Sequence, residues 1–300
     1  MTIEQIFHAW NLVFHEECST APLVLFRILT GCVLLLNGLL LMPLVDDYYS
    51  PDGLWPDPVW RRQTVRHGFC LFLWLPDTTR TFRLFLCVHL LACLCFLAGY
   101  QFRIASIAVF VTLVSIHHRN PCLLSSGDSL LRMLVFFCCF SDAAGGVSVD
   151  HWLAGKPLTQ FNTADPWALR LMQIQVSIVY LRTVYWKLRG ALWRNGSAAW
   201  YPLWVDAYVR FRPPQWMLKP AMIRIATWGT LAEEMLLGTG LWIRELRYPM
   251  LITGVLLHLM FDVILNLQLF SWIMVCSLML FVWPQDSEWL LRQVVDHLWG

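Results

Sequence analysis

Residues 173–201 read QIQVSIVYLRTVYWKLRGALWRNGSAAWY. The first two thirds of this stretch have the composition of an apolar helix, and Gly190 and Gly196, with Trp193 between them, predict that the helix breaks there. Lys187 lies just before the break, in a chain with only three lysines against nineteen arginines. Because an ionisable side chain at membrane depth must be paired, hydrated or used, Lys187 is a candidate functional residue.

Lys187 has two interpretations at this point. Burial in apolar surroundings disfavours the charged form of an amine, so a desolvated lysine can act as a base. A lysine near the end of a helix can instead extend its long side chain to the lipid headgroups and serve only as an anchor. The residues of the stretch are compatible with both interpretations.

The composition is that of a membrane protein. Of the 300 residues, 58% are hydrophobic and only 14% are charged, which is far from the average of soluble domains. The net charge of +2 and the scatter of the basic residues give no patch for nucleic acid. Residues 1–20 contain no Lys or Arg, so they lack the basic start of a signal peptide and predict an amphipathic lead-in helix at the interface.

The apolar segments predict an all-α integral membrane protein, a polytopic bundle of about eight transmembrane helices with interfacial helices and loops. The predicted spans are Pro22–Val45, Phe82–Tyr100, a short Ile104–Ile116, a fourth from about Asp128 to about Asp142, a fifth within the opening stretch, Met222–Ile243, Tyr248–Asn266 and Leu269–Trp283. The transmembrane domain would cover residues 21–285, and residues 286–300 would form a short C-terminal tail. Residues 57–80 predict a short helix on the membrane surface.

Polar side chains concentrate between the third and fourth predicted spans. Asp128 and Arg132 are four residues apart, so they can share one helical face and form an ion pair, with a preceding serine as the helix cap. His117 and His118 are adjacent, and adjacent side chains point about a hundred degrees apart on a helix. They are therefore poorly placed to chelate an ion, and no metal is expected. The third span is short unless it continues through these histidines.

Two adjacent acids, Glu233 and Glu234, lie near the middle of the sixth predicted span. Two neighbouring carboxylates cannot both face lipid at low cost. At least one is expected to face the bundle interior, where His258 of the seventh span is a candidate partner. Three arginines within or beside spans are expected to pair with such acids or with Asp128, and so to be structural: Arg27, Arg132 and Arg182.

Several short motifs follow one another along the chain. They are Arg27, the loop Tyr48–Pro56, Arg119-Asn120-Pro121, Ser126-Gly127-Asp128 with Leu130-Leu131-Arg132, Tyr180–Lys187 with Gly190, Trp193 and Gly196, and Glu234 with His258. Together they resemble the HTTM domain, the membrane part shared with vitamin K-dependent gamma-carboxylases. The resemblance covers about residues 20–285 and implies a short, bacterial-type member of that superfamily.

The resemblance implies a chemistry for Lys187. In the animal carboxylase, a lysine in the corresponding helix deprotonates reduced vitamin K, and the oxygenated quinone then removes a proton from a glutamate that captures carbon dioxide. Lys187 matches that lysine, which makes it the predicted catalytic base, with reduced vitamin K or menaquinone as the implied cofactor. The candidate quinone- or substrate-binding residues are Tyr180, Arg182, Gln175, Trp193, Asn120, Asp128, Arg132 and His258. Glu233 and Glu234 are candidate intramembrane acids.

The chain also departs from the animal enzyme. That enzyme has a large extramembrane domain after the bundle, whereas only residues 286–300 follow here. Two functions of different classes therefore stay open. The first is a quinone-coupled, carboxylase-like enzyme, and the second is a non-catalytic membrane factor that assists maturation or export of a secreted peptide or protein. Membrane lipid is a partner in both, and the resemblance to short bacterial members implies the bacterial inner membrane.

Overall fold

The protein is built from helices with very little strand. The computed structural model describes residues 3–56, 60–62 and 68–299. The α-helices are α1 Ile3–Phe14, α2 Ala21–Leu41, α3 Val45–Tyr48, α4 Thr79–Ala98, α5 Phe102–Arg119, α6 Ser126–Cys138, α7 Val149–Leu153, α8 Trp167–Arg189, α9 Ala191–Arg194, α10 Pro220–Gly240, α11 Arg247–Ile264, α12 Phe270–Leu278 and α13 Pro284–Trp299. Short 3₁₀ helices cover Met42–Leu44, Leu71–Leu73, Pro121–Leu123, Ala198–Trp204 and Met279–Phe281.

The chain divides into two compact units. The first unit holds the residues up to Met172 together with those from Trp283 onward, and the second unit holds Gln173–Val282. Within the first unit, α13 packs against α2, where Leu291 is buried in one cluster with Ala21 and Val24. The last described helix therefore belongs to the same body as the first long helix.

Two short strands join distant segments of the first unit. β1 Cys18–Ser19 pairs antiparallel with β2 Thr163–Ala164, so that Cys18 lies opposite Ala164. The next residue, Thr20, donates its hydroxyl hydrogen to the carbonyl of Gly145 at 3.1 Å. The segment that leads into α2 is thus fixed to the loop that precedes α8.

Three helical stretches in the described part of the chain are long and apolar enough to cross a membrane, Ala21–Tyr48, Thr79–Ala98 and Arg247–Ile264. They support the prediction of a membrane protein, and the all-helical fold class is confirmed. Helices also lie at the other five predicted span positions, but these are shorter or carry more polar side chains. The number of eight spans stays a prediction.

Of the two alternatives for the third predicted span, the one that continues through His117 and His118 is confirmed. α5 begins at Phe102 and continues through both histidines to Arg119, because its boundaries are set by polar contacts rather than by the apolar run. The carboxylate of Asp150 accepts hydrogen bonds from the first backbone N–H groups, and Pro121 prevents the helix from continuing.

The predicted surface helix over residues 57–80 is described only in part. The 3₁₀ helix Leu71–Leu73 lies within it, and α4 begins at Thr79. Residues 57–59 and 63–67 of this segment lie outside the described residues. In the described part, residues 60–62 are helical, and the 3₁₀ helix with irregular chain around it follows ahead of α4.

Arg119, at the end of α5, holds the loops of the first unit together. Its guanidinium is fully buried and donates to the carbonyls of Trp55 at 3.0 Å and Tyr49 at 3.1 Å and to the carboxylate of Asp77 at 3.4 Å. It also lies 4.4 Å from the ring centroid of Trp60. These contacts offset the cost of removing the guanidinium of Arg119 from water.

We expect Arg119→Met to lower the free energy of unfolding by about 3 kcal/mol, because the carboxylate and carbonyls that it serves would stay buried without a donor. Arg83→Met is the matched control, since Arg83 pairs with Asp46 at 2.6 Å with both side chains more than half exposed, and it should cost less than about 1 kcal/mol. Denaturant titration in detergent micelles measures both. Equal losses in the two variants would contradict the anchoring role of Arg119.

Candidate functional site

The second unit gathers polar side chains that the sequence marks as candidates. α8 carries Tyr180 and Lys187, which are seven residues apart. Seven residues are about two helical turns, so the two side chains leave the helix on nearly the same face. α10 supplies Glu234 and α11 supplies His258, both from the buried sides of their helices.

Lys187 and Glu234 form a buried ion pair. The ammonium donates to both carboxylate oxygens, with Nζ at 2.6 Å from Oε1 and 2.7 Å from Oε2. The side chains are 19% and 9% exposed, so each charge would be costly without the other. The sequence predicts His258 or an arginine as the partner of this acid, and the structure corrects that prediction because Lys187 occupies both oxygens.

The glycine break after α8 places Trp193 over the lysine. α8 ends at Arg189, Gly190 takes an extended conformation, and α9 begins at Ala191. The chain then turns back, so that Lys187 Nζ lies 4.4 Å from the centroid of the Trp193 ring. An indole face attracts a cation at this distance. The carbonyl of Trp193 also accepts a hydrogen bond from Trp228 Nε1 at 3.2 Å, which fixes the turn.

Tyr180 and His258 form a second buried polar pair. The Tyr180 hydroxyl lies 2.8 Å from His258 Nε2, and both side chains are buried. His258 lies within electrostatic range of Lys187, and Tyr180 lies within electrostatic range of Glu234 and Glu233. The two pairs therefore form one polar cluster, which we call the Lys187 site: Lys187, Glu234, Trp193, Tyr180, His258 and Glu233.

Two atoms of the Lys187 site have open hydrogen-bonding capacity. Within the described part of the chain, Glu233 Oε1 and His258 Nδ1 are buried and have no hydrogen-bond partner. Native proteins rarely leave buried polar atoms unpaired. An ionised carboxylate oxygen accepts hydrogen bonds and cannot donate them. The site is therefore suited to a ligand that donates hydrogen bonds from hydroxyl groups.

Gln175 and Arg182 belong to α8 but have other surroundings. Gln175 is half-buried and lies five residues before Tyr180, and Arg182 is exposed. The guanidinium of Arg182 lies 5.9 Å from the ring centroid of Trp186, rather than pairing with an acid as the sequence predicts. The spacing along α8 explains this, since neither residue shares the face of Lys187.

In the first unit, Asp128 and Arg132 do not pair with each other as the sequence predicts. Asp128 Oδ2 accepts hydrogen bonds from Ser125, from its backbone N–H at 2.7 Å and from its hydroxyl at 2.8 Å, as one half of a capping box at the start of α6. Arg132 Nη1 lies 3.3 Å from His118 Nε2 instead. The capping arrangement satisfies an otherwise unpaired N–H at the start of the helix, and it draws the carboxylate away from Arg132.

Asn120 and Arg27 also make structural contacts within the first unit. Asn120 donates from Nδ2 to the carbonyl of Tyr48 at 3.0 Å and accepts from the N–H of Cys122 at 3.1 Å. Arg27 donates to the carbonyl of Val147, which corrects the prediction that it pairs with an acid of the bundle. These two side chains connect α2 and α5 to the loops around them.

The pairing of Lys187 with Glu234 is the main feature that sequence reasoning missed. The available signal was scarcity, since a rare lysine and a rare acid in two apolar helices are natural counter-charges.

Within residues 3–56, 60–62 and 68–299, no group of three or more His, Cys, Asp or Glu side chains could hold a metal ion.

Comparisons with known proteins agree with the motifs. A family model described as HTTM domain matches residues 15–289. A similar curated protein is "Uncharacterized protein YitO" of Bacillus subtilis (strain 168), 27% identical over 136 residues, which are 43% of this chain and 44% of that protein. The chain thus matches less than half the length of that relative. No solved structure matches the chain.

The ion pair makes a specific prediction about stability. Glu234→Leu alone should cost about 3 kcal/mol of unfolding free energy, because it leaves Lys187 buried without a counter-charge, whereas the double variant with Lys187→Met should return to within about 1 kcal/mol of the wild type. A double-mutant cycle by denaturant titration in micelles measures the coupling. Glu233→Leu, at the neighbouring acid, is the control and should show no comparable coupling to Lys187→Met. Additive losses for Lys187 and Glu234 would contradict the pair.

Proposed function

The chain belongs to the HTTM domain family, and on that premise we propose that it is a membrane enzyme of the gamma-carboxylase-like type, in which Lys187 takes a proton from a reduced quinone. The observation that carries the proposal is the Lys187–Glu234 pair, whose ammonium lies 2.6 Å and 2.7 Å from the two carboxylate oxygens. A protein that needed lysine only as an interfacial anchor would have no use for a carboxylate buried beside it.

The residues of the Lys187 site fit a reduced quinone. Such a molecule is an apolar ring with hydroxyl groups that donate hydrogen bonds, and when bound it would supply an acidic hydroxyl and the reducing equivalents of the reaction. Glu233 Oε1 and His258 Nδ1, which lack partners in the described residues, would accept from those hydroxyls. The indole of Trp193 supplies an aromatic surface beside the amine.

The ion pair provides a place for the proton. Lys187 Nζ would first pass one proton to the Glu234 carboxylate, and the neutral amine would then be able to take a proton from a hydroxyl of a bound quinol. After both transfers, Glu234 would hold the proton as a neutral carboxylic acid, and the Lys187 ammonium would provide a positive charge beside the bound ligand. Lys187 would therefore be the immediate base, and Glu234 would be the group that keeps the proton.

The contact between Tyr180 and His258 would hold the imidazole ring in the orientation that ligand binding needs. The hydrogen bond between the Tyr180 hydroxyl and His258 Nε2 at 2.8 Å fixes the orientation of the imidazole ring. Nδ1 then points to a defined position rather than rotating, as positioned acid–base groups require. We assign Tyr180 a positioning role and His258 a binding role.

We further propose that the acceptor is a secreted peptide or protein and that the protein works in a bacterial cytoplasmic membrane. Three stretches long and apolar enough to cross a bilayer and a partial match to a bacterial relative support the membrane and its source. The runner-up function, a non-catalytic factor that assists maturation or export, makes no use of the buried proton-accepting groups.

The test is oxygen consumption by the purified full-length chain with a reduced menaquinone analogue. The wild type should consume oxygen faster than the quinol oxidises alone. Lys187→Met should reduce this rate about a hundredfold or more, which is the usual contribution of a general base. Binding of the analogue, followed by its effect on the unfolding temperature, should persist in the variant.

Lys219→Met is the matched control, because Lys219 is an exposed lysine at the start of α10 and should leave the rate unchanged. If Lys187→Met kept the activity of the wild type, Lys187 would not be the base. A wild-type protein that neither binds nor oxidises the analogue would refute the enzyme function, and a co-purifying peptide or protein would then favour the maturation factor.

A further inference from the structure

The first unit contains a polar pocket that the chemistry at Lys187 does not use. Its volume is about 280 Å³, near the lower end of the range for small-ligand sites. It is formed where α5 begins, α6 has ended and α7 lies in the following loop. We call it the loop pocket, and the side chains that matter for its chemistry are Arg103, Asp142, Asp150, His151, Lys156 and Asn162.

Hydrogen bonds across long stretches of sequence hold the walls of the loop pocket. Asp150 Oδ1 accepts from the N–H of Gln101 at 2.8 Å, and Oδ2 accepts from the N–H of Phe102 at 2.9 Å. On the other wall, Asn162 donates from Nδ2 to Asp142 Oδ2 at 3.1 Å and from its backbone N–H to Gly145 at 2.7 Å. The walls are therefore fixed before any ligand arrives.

Gly145 is required for this wall. A Cβ atom at that position would lie 2.6 Å from Asp142 Oδ2 and 2.7 Å from Thr20 Oγ1. Those distances are too short for a carbon atom, so any larger residue would displace the carboxylate or the hydroxyl. The close approach of Gly145 lets Asp142 and Asn162 meet at the edge of the pocket.

Hydrogen-bond donors outnumber free acceptors in the loop pocket. Arg103 is exposed, and none of the described residues forms an ion pair or hydrogen bond with its guanidinium. Lys156 donates to Asn162 Oδ1 at 3.2 Å and has further N–H groups to offer. Both oxygens of Asp150 are already occupied, and the buried Arg27 is near enough to offset its charge.

His151 adds a buried group to the same wall. The residue is 4% exposed, and within the described residues its Nε2 has no hydrogen-bond partner. Burial and the charge of Lys156 lower the pKa of His151, so the ring is neutral at pH 7. A neutral imidazole contributes hydrogen bonding without adding charge.

We propose that the loop pocket binds the oxyanion group of a small ligand, a carboxylate or a phosphate, between Arg103 and Lys156. Two flexible cations on a fixed scaffold, with both oxygens of Asp150 and one oxygen of Asp142 already engaged, favour an anion. The volume limits the ligand to a small molecule or a single lipid headgroup. The site is independent of the function proposed for Lys187.

The experiment uses the full-length chain and three probes. Inorganic phosphate and acetate are titrated into detergent-purified protein by calorimetry, and phosphatidic acid is compared with phosphatidylcholine in nanodiscs by the unfolding temperature. Arg103→Gln and Lys156→Gln should each weaken phosphate or acetate binding about tenfold, as expected for a lost charge-assisted hydrogen bond. If the source is lipid, the two variants should instead lose the extra stability that phosphatidic acid gives the wild type.

Lys219→Gln is the control, because it removes an exposed lysine of the second unit and should leave all three responses unchanged. Arg103 and Lys156 are exposed, so both variants should fold. The proposal fails if no probe affects the wild type, or if Arg103→Gln and Lys156→Gln respond as the wild type does. Quinol oxidation serves as an independent readout, and it should be unaffected in both pocket variants.

Discussion

The cost of placing charge in apolar surroundings determines how this protein is built. In a chain with 58% hydrophobic residues, a buried ion has little water around it. A charged or polar partner from the chain itself lowers the cost of burying that ion. Lys187 finds it in Glu234, and Arg119 finds it in two carbonyls and Asp77. The positions of the helices and loops around these ions follow from that requirement.

Arg119 and Lys187 are both paired within the protein, but the two arrangements have different consequences. The hydrogen bonds of Arg119 are all made to loop segments. They therefore stabilise the positions of those loops in the first unit. Lys187 is bound by a carboxylate, which can itself accept a proton, and within the described residues Glu233 Oε1 and His258 Nδ1 are buried without a hydrogen-bond partner. A site with spare hydrogen-bonding capacity is suited to a ligand, whereas a fully satisfied one is suited to structure.

Sequence patterns located the helices, because apolar runs and glycine breaks act over short distances. The break at Gly190 and the inward position of Glu234 both follow from such local signals. The partners did not follow, since they depend on how each helix is rotated. Asp128 illustrates the limit. The four-residue spacing allowed an ion pair with Arg132, but the carboxylate instead accepts hydrogen bonds from Ser125, three residues before it. The loop pocket, assembled from segments distant in sequence, left no local signal at all.

The packing of α13 on α2 affects the order in which the protein can form during synthesis. Leu291 lies in one buried cluster with Ala21 and Val24. β1 can pair only after β2, about 145 residues later in the sequence, has been synthesised. A ribosome therefore releases α2 long before the segments that cover it exist. The second unit, which is continuous in sequence, can assemble while the first is still incomplete. The unit that begins synthesis is thus the one that finishes folding last.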